Sequence, residues 1–312
     1  MRWSVATILA LGVASVSAAP SPTVKRDSAT STVSAATESA LTIYGEFARA
    51  AYCGVDSTWT CGGACSALPG FEVYAYGGDG DSVPMWFVGY WPTENVAVVG
   101  HEGTDPTQFL SLLTDAEVVF ANLDSTLFPG ISSSIEVHDG FATAQAASAA
   151  QVLAAVEQVF SDKGISSVTV TGHSLGSAVS TIDLVYLQLH LPSTTTFKAV
   201  LHGTPRVGNQ DWANYIDANF SDFTRITNDN DPIPVVPGEF LGYHHASGED
   251  HIQPDETTWI HCDGQDNPST LCSTGYVPDI LFSNIIDHLG PYNGIWYVCI
   301  RFNTGRHPKV SN

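Results

Sequence analysis

Basic side chains are scarce in this chain of 312 residues. It has 11 Lys and Arg against 32 Asp and Glu, a formal net charge of −21 at neutral pH. Proteins that bind nucleic acid usually carry basic patches that neutralise phosphates, so this composition argues against nucleic acid as a partner. The acidic excess suits solubility in an acidic extracellular medium, and an alternative is that it helps to expel a carboxylate product from a site.

No internal repeat and no linker divides the chain, and its first apolar run is too short to span a bilayer. That run, residues 5–13, precedes small residues and is typical of a secretory signal peptide cleaved near Ala18. Removal of residues 1–26 would take away three basic side chains and no acidic one, which leaves 8 basic and 32 acidic side chains, net −24. We expect a signal peptide over 1–19, a propeptide over 20–26 that ends in a dibasic pair, and one domain over 27–312.

Cysteine is also sparse, with six residues and no C-x-x-C pair, which argues against a zinc site. The His and acidic residues at 244–251 form another candidate metal group, but such loops in acidic proteins usually bind none, so we predict no metal. Six cysteines in a secreted chain indicate three disulfides. Two close pairs would each staple a loop, and the third would tie the N-terminal helix to the last strand. The expected pairs are Cys61–Cys65, Cys262–Cys272 and Cys53–Cys299.

Strands and helices alternate along the predicted domain. Apolar residues at helical spacing predict helices over 34–52, 138–160, 177–191 and 210–219. Short apolar or β-branched runs predict strands over 71–75, 85–90, 95–99, 167–170, 197–201, 223–227 and 295–302. Alternation of this kind predicts an α/β fold with a mostly parallel sheet that helices cover on both faces.

The most informative motif is residues 171–176, Thr-Gly-His-Ser-Leu-Gly, which joins a β-branched strand to a helix. In this G-x-S-x-G pattern the backbone turns sharply at Ser174, and a Cβ at position 172 or 176 would clash with a neighbouring strand or helix. The pattern predicts a nucleophile elbow, which presents a serine hydroxyl at the sheet edge. We expect His173 to support this turn rather than to transfer protons.

A serine hydroxyl needs a base that accepts its proton and an acid that orients the base. In α/β-hydrolases the acid and then the base follow the serine along the chain. Asp231 lies just after a predicted strand and is the candidate acid, with Asp229 as the alternative. His288 is the candidate base, on a loop before the last predicted strand. The other downstream histidines are His244, His245, His251, His261 and His307.

The oxyanion that develops on the substrate needs two hydrogen-bond donors. The backbone N–H of Leu175, directly after the nucleophile, should supply one of them. The loop that follows the buried strand 95–99 should supply the other, because Gly103 allows a close approach and Thr104 carries both an N–H and a hydroxyl.

Several segments together resemble the class 3 lipase family of secreted fungal enzymes, which includes triacylglycerol lipases and related feruloyl esterases. They occur in the family's order between about Leu41 and Phe302, at residues 47–53, 103–104, 137–141, 172–176, 203–209, 231–234 and 288–292. The chain departs from the family at Glu102, where arginine is usual, and in a longer insertion between positions 243 and 288. The resemblance implies an α/β-hydrolase fold without a cofactor, the triad Ser174, Asp231 and His288, oxyanion donors at Thr104 and Leu175, and a disulfide between Cys53 and Cys299.

The segment after the oxyanion loop bears on which ester is cleaved. This segment contains a cluster of apolar side chains between Asp105 and Asp115. Such an amphipathic lid would cover an apolar site in water and open at a lipid surface, which favours a triacylglycerol lipase at a lipid–water interface. The same side chains would also suit an ordinary core helix. The predicted lid residues are Phe109, Leu110, Leu112 and Leu113.

Two other functions stay open. A feruloyl esterase would carry a more polar segment here and would use aromatic side chains around a small acyl group, for which Trp259, Tyr243 and Tyr292 are candidates. A binding module could keep the fold but would lose a catalytic group, whereas all three are present. The sequence thus predicts a secreted, extracellular serine carboxylic ester hydrolase, most simply a triacylglycerol lipase, with no stable protein partner.

Overall fold

The computed structural model describes residues 29–114 and 118–299. The predicted signal peptide and propeptide, Asp115 and His307 lie outside the described residues. The strands are β1 Thr30–Thr32, β2 Glu72–Gly77, β3 Trp86–Trp91, β4 Val96–His101, β5 Phe120–Asn122, β6 Glu136–His138, β7 Ser167–His173, β8 Thr196–His202, β9 Gly208–Asn209, β10 Phe223–Asn228, β11 Tyr243–His244, β12 Glu249–Ile252 and β13 Trp259–Cys262. The helices are α1 Ala35–Tyr52, α2 Gly63–Ala67, α3 Pro106–Thr114, α4 Asp139–Ala146, α5 Ala149–Lys163, α6 Leu175–His190, α7 Gln210–Asn219, α8 Ser273–Tyr276 and α9 Ile285–Leu289.

Nine strands form the main sheet, in the order β1-β13-β12-β10-β8-β7-β4-β3-β2. The five central strands, from β12 to β4, run parallel to their neighbours, and two antiparallel strands extend the sheet at each edge. A second sheet of four short strands has the order β11-β9-β6-β5. Because parallel strands end at the same edge, the loops after β4, β7 and β10 lie together, where open α/β sheets place their sites.

Helices cover both faces of this sheet, as predicted. Successive residues of β3 point to opposite faces, so Phe87 packs in the cluster that contains α1 while Val88 packs in the cluster that contains α5 and α6. Ser34 caps α1 by accepting a hydrogen bond from the Thr37 N–H. Within the described residues, no helix is long and apolar enough to cross a membrane.

The predicted helix over 138–160 is wrong as one element, because the chain turns between α4 and α5. The Ser148 N–H bonds the Gln145 carbonyl at this turn. The turn lets α4 bury Phe141 and Gln145 while α5 buries a separate face that includes Val156.

The predicted last strand, 295–302, is also wrong over its described part. Tyr292 and Ile295 form only an isolated bridge, and no strand continues through residue 299. The Tyr297 N–H instead bonds the Leu289 carbonyl, and its ring stacks on His173 with centroids 3.9 Å apart. These contacts draw the segment out of the sheet, so His288 precedes no strand and lies in the short helix α9.

Three disulfides close the fold, and their pairing is the predicted one. Cys53–Cys299 links the end of α1 to the last described residue, across 246 residues of sequence. Cys61–Cys65 and Cys262–Cys272 close short loops.

Candidate active site

Ser174 occupies a strained turn between β7 and α6. Its backbone angles are φ 60° and ψ −130°, a conformation that residues other than glycine rarely adopt. A Cβ on Gly172 would lie 2.5 Å from the Gly176 carbonyl carbon, and one on Gly176 would lie 2.6 Å from the Glu102 carbonyl oxygen. Both glycines are therefore needed for the close packing that the elbow motif predicts.

His288 and Asp231 form a fully buried pair at the same sheet edge. The His288 Nδ1 lies 2.7 Å from Asp231 Oδ2, and a carboxylate only accepts, so Nδ1 carries the proton. Asp231 follows β10 and is fixed through Oδ1, which accepts the Ile233 N–H at 2.8 Å. The Tyr292 hydroxyl donates to Oδ2 at 3.3 Å. In the neutral ring, Nε2 of His288 is consequently left as a proton acceptor.

The two atoms that would exchange a proton are both buried and unpaired. Within the described part of the chain, neither the Ser174 hydroxyl nor His288 Nε2 has a hydrogen-bond partner. Buried polar atoms are seldom left unsatisfied, and exceptions often mark catalytic groups. Catalytic hydrogen bonds are often long without substrate and tighten in the complex. The His288 ring lies 4.4 Å, centroid to centroid, from the ring of His173, the neighbour of Ser174.

A buried hydrogen-bonded chain runs across the back of this edge through His173. His173 Nε2 lies 2.7 Å from the His288 carbonyl, which only accepts, so Nε2 carries a proton. Burial, with His288 nearby, holds the pKa of His173 well below its ordinary value, so the ring is neutral and Nδ1 accepts. The Tyr52 hydroxyl, 2.7 Å away, therefore donates to Nδ1. His173 thus supports the elbow and the backbone of His288, as expected, and Tyr52 is a contributor that the motifs did not reveal.

The loop after β4 lies directly against the elbow. A Cβ on Gly103 would lie 2.8 Å from the Ser174 Cβ and 2.7 Å from the His173 carbonyl, and it would also meet the Tyr52 hydroxyl. Thr104, next in the chain, is exposed. Leu175 is the first residue of α6, where backbone N–H groups have no partner inside the helix. Both predicted donors therefore come from segments that border Ser174.

Gly203 gives the His288 ring its space. It follows β8 with φ +54°, and a Cβ there would lie 2.8 Å from His288 Cε1 and 2.8 Å from the Tyr292 hydroxyl. The resemblance pointed to residues 203–209, but the spatial reason for this glycine becomes visible only in the fold.

The alternative acids and bases are engaged elsewhere. Asp229 lies beside Tyr276, where its negative charge adds to burial in raising the pKa of the tyrosine hydroxyl. The described alternative histidines each have another polar partner: His244 pairs with Asp266, His245 with the Pro234 carbonyl, His251 with Thr227 and His261 with Asp250.

One group of potential metal ligands occurs in the described part of the chain: Glu239, His244 and Asp266, with ligand atoms within 4.8 Å of one another. Asp266 already pairs with Arg206 at 2.8 Å and accepts the His245 N–H at 3.0 Å. Burial alone would raise the pKa of Asp266, but Arg206 and His244 outweigh it and lower the pKa, so this carboxylate is accounted for by an ion pair.

The predicted lid residues lie in α3. Phe109 and Leu113 are buried in the larger core cluster, and Leu110 packs against it. Phe109 lies near Phe141, with ring centroids 6.0 Å apart, and α3 packs beside α9, which carries His288. The side chain of Leu112 lies outside the described residues. Ser174 and His288 are both inaccessible to solvent.

Comparison with known proteins places these features in one family. The family described as Lipase (class 3) matches residues 98–241, which hold the elbow, the oxyanion loop and Asp231. A secreted mono- and diacylglycerol lipase of Malassezia globosa is 30% identical over 243 residues, which cover 74% of this chain and 77% of that protein. A secreted mono- and diacylglycerol lipase of Malassezia restricta is 31% identical over 198 residues, 62% of this chain. The chain spans 61% of the length of that relative.

Solved structures agree on the fold. The structure described as a triacylglycerol lipase whose catalytic centre is a serine protease triad has a TM-score of 0.74 and 23% identity, and covers 87% of this chain and 100% of its own. Lipase II from Rhizopus niveus has a TM-score of 0.73 and 24% identity, with the same coverage. At this identity the likeness establishes the α/β-hydrolase fold.

Proposed function

Since the chain belongs to the class 3 lipase family, we propose that it is a secreted serine carboxylic ester hydrolase that cleaves acylglycerols. The observation that carries this proposal is the pair of unpaired buried atoms, the Ser174 hydroxyl and His288 Nε2, beside an acid that fixes the histidine tautomer. The names of the relatives, secreted mono- and diacylglycerol lipases, support both secretion and the substrate class.

The reaction follows from the roles of these groups. His288 Nε2 takes the proton of Ser174 as Oγ attacks the ester carbonyl carbon, and Asp231 stabilises the imidazolium that forms. The N–H of Leu175 and the donors of Thr104 stabilise the oxyanion. When the intermediate collapses, the C–O bond of the alcohol breaks and His288 returns the proton to the alcohol. Water then attacks the acyl-enzyme by the same route and releases the carboxylic acid.

Exposed apolar side chains support action at a lipid–water interface. Phe240, Leu281 and Phe282 are 90%, 82% and 80% exposed, which is unusual for side chains of this size. Phe240 and Ile280 line a cleft of about 470 Å³ together with Leu113 of the lid helix α3. Movement of α3 would widen this cleft, and burial of its apolar face in lipid would offset the loss of its core contacts.

The feruloyl esterase alternative is less well supported. The aromatic side chains that could stack on a feruloyl group are committed to other contacts: Trp259 is buried in the core, Tyr243 stacks on Phe120 with centroids 4.1 Å apart, and Tyr292 donates to Asp231. No observation favours this function over acylglycerol hydrolysis.

Hydrolysis rates on emulsified mono-, di- and trioleoylglycerol, compared with soluble methyl ferulate, test the proposal. We expect acylglycerol hydrolysis that rises as the emulsion forms, and loss of turnover in Ser174→Ala with an unchanged melting temperature. A Ser174→Ala variant within about tenfold of the parent would contradict the nucleophile, since loss of a triad member costs far more. Hydrolysis of methyl ferulate alone would contradict the substrate class.

A further inference from the structure

A buried polar tie connects the strand before the oxyanion loop with the elbow helix. His101, the last residue of β4, places Nε2 2.6 Å from Asp183 Oδ2 on α6. The second oxygen of Asp183 accepts from the Gln145 side-chain amide of α4 at 2.7 Å. All three side chains are almost completely buried. The tie lies apart from Ser174, Asp231 and His288, and the proposed reaction does not use it.

Stability alone gives little reason for such a tie. A buried carboxylate loses its hydration, and apolar side chains of similar volume usually hold a core together equally well or better. Directional hydrogen bonds differ from apolar packing because they fix the distance and angle between the elements that they join. The question is therefore which two elements this tie fixes.

Those elements carry the two predicted oxyanion donors. Thr104 lies three residues after His101, and α6, which holds Asp183, begins at Leu175. In the sheet His101 is also paired with Gly172 of β7, so the tie lies close to the elbow. A Cβ on Gly176 would clash with the His101 carbonyl oxygen, so the end of β4 and the start of α6 are in close backbone contact. The tie fixes the relative position of these two elements along that contact.

We propose that His101 and Asp183 are positioning residues that hold the oxyanion loop in register with the elbow helix. The inference rests on the proposed ester hydrolysis and adds residues that set the spacing of the two donors. Catalysis depends on such spacing, since loss of one oxyanion donor lowers kcat by about 10²–10³ and a displacement of about 1 Å costs up to about 10²-fold. Breaking the tie should therefore lower kcat about 10- to 100-fold, with little effect on KM.

The main test replaces both partners by apolar side chains, because removal of one would leave the other buried and unpaired. His101→Phe and Asp183→Leu are combined with Gln145→Leu, so that the buried amide of Gln145 is not left without its acceptor, and this triple variant should remain folded. Its kcat and KM on soluble p-nitrophenyl butyrate and its affinity for a phenylboronic acid, which forms a tetrahedral adduct on the serine, are then compared with the parent. Thr181→Val is the matched control, because it removes a buried hydroxyl that bonds within α6, to the Ser177 carbonyl, and is not part of the tie.

If the tie positions the donors, kcat and boronic acid affinity should fall together in the triple variant, while KM and the activity of Thr181→Val change by less than about threefold. Unchanged kcat and boronic acid affinity in a folded triple variant would overturn the inference. A parent protein that hydrolyses no ester would overturn the proposed function as well, so the two failures are distinguishable.

A pair of single variants decides the matter if the triple variant does not fold. Glutamine at position 101 can place its amide nitrogen near the position of the histidine Nε2, whereas asparagine is too short. His101→Gln should keep kcat within about threefold of the parent and His101→Asn should lose about tenfold or more. Equal activity of these two variants would overturn the inference.

Discussion

The carboxyl group of Glu102 should make the stability of this protein depend on pH. Glu102 lies between β4 and Gly103, and its side chain accepts the Met85 N–H at 3.3 Å. Burial raises its pKa from 4.5 to about 7, and the Met85 N–H only partly opposes this effect. Below about pH 4.5 the group is protonated in the folded and unfolded states alike, so it costs no stability there.

The cost appears as the pH rises from 4.5 towards 7, because the unfolded chain then releases a proton that the folded protein retains. A pKa of about 7 instead of 4.5 corresponds to about 3.4 kcal/mol at pH 8. Partial exposure of the group reduces this to about 1–2 kcal/mol. Glu102→Gln keeps an acceptor for Met85 and does not titrate. The melting temperature of this variant minus that of the parent should therefore be about 2–6 °C larger at pH 8 than at pH 4.5.

Scanning calorimetry of the parent and Glu102→Gln at both pH values measures this difference. Burial and the charge of Asp229 raise the pKa of Asp287 to about 6. Asp287 therefore also lowers the stability of the folded protein as the pH rises, but it does so in both proteins. Glu157→Gln is a suitable control, because Glu157 is exposed on α5. The reasoning fails if the difference between Glu102→Gln and the parent is the same at pH 4.5 and pH 8.

Three further changes test the site. Asp231→Asn should lower kcat by about 10⁴, measured on a soluble ester, because the amide no longer favours the required histidine tautomer; a loss below tenfold would exclude Asp231 as the acid. Gly176→Ala places a methyl group against the His101 carbonyl and should cost about 1–3 kcal/mol in urea unfolding, whereas an unchanged midpoint would contradict the packing. Tyr52→Phe leaves His173 Nδ1 without its donor and should cost about 1–3 kcal/mol in the same assay; full stability would show that the bond contributes nothing.

Local rules predicted the parts of the site that local geometry governs. The elbow could be found because a sharp turn at Ser174 demands glycine at positions 172 and 176, and this demand leaves a fixed spacing in the sequence. The order of serine, acid and histidine then limited the choices. The position of Asp231 after a predicted strand favours it as the acid, the resemblance implies the same residue, and the structure places Asp231 Oδ2 2.7 Å from His288 Nδ1.

Contacts between distant segments account for what the sequence could not predict. Residues 295–299 have the composition of a strand, yet Tyr297 stacks on His173, more than 120 positions earlier, and Cys299 bonds Cys53. Such packing overrides β-propensity, which reflects the fit of a residue to its surroundings rather than a fixed preference. The single helix predicted over 138–160 failed similarly, because Gln145 turns towards Asp183 on another helix.

The hydrogen bonds around the site explain why so few of its polar atoms are reactive. His173 uses both ring nitrogens, on Tyr52 and on the His288 carbonyl, and Asp231 uses both carboxylate oxygens. A buried group whose partners are complete holds its position and has no free lone pair for substrate. Because these partners are complete, the Ser174 hydroxyl and His288 Nε2 are the unpaired atoms that the proposed reaction uses, and both residues are inaccessible to solvent. If α3 acts as the proposed lid, access at a lipid surface, rather than assembly of Ser174, Asp231 and His288, is the step that should control the onset of hydrolysis.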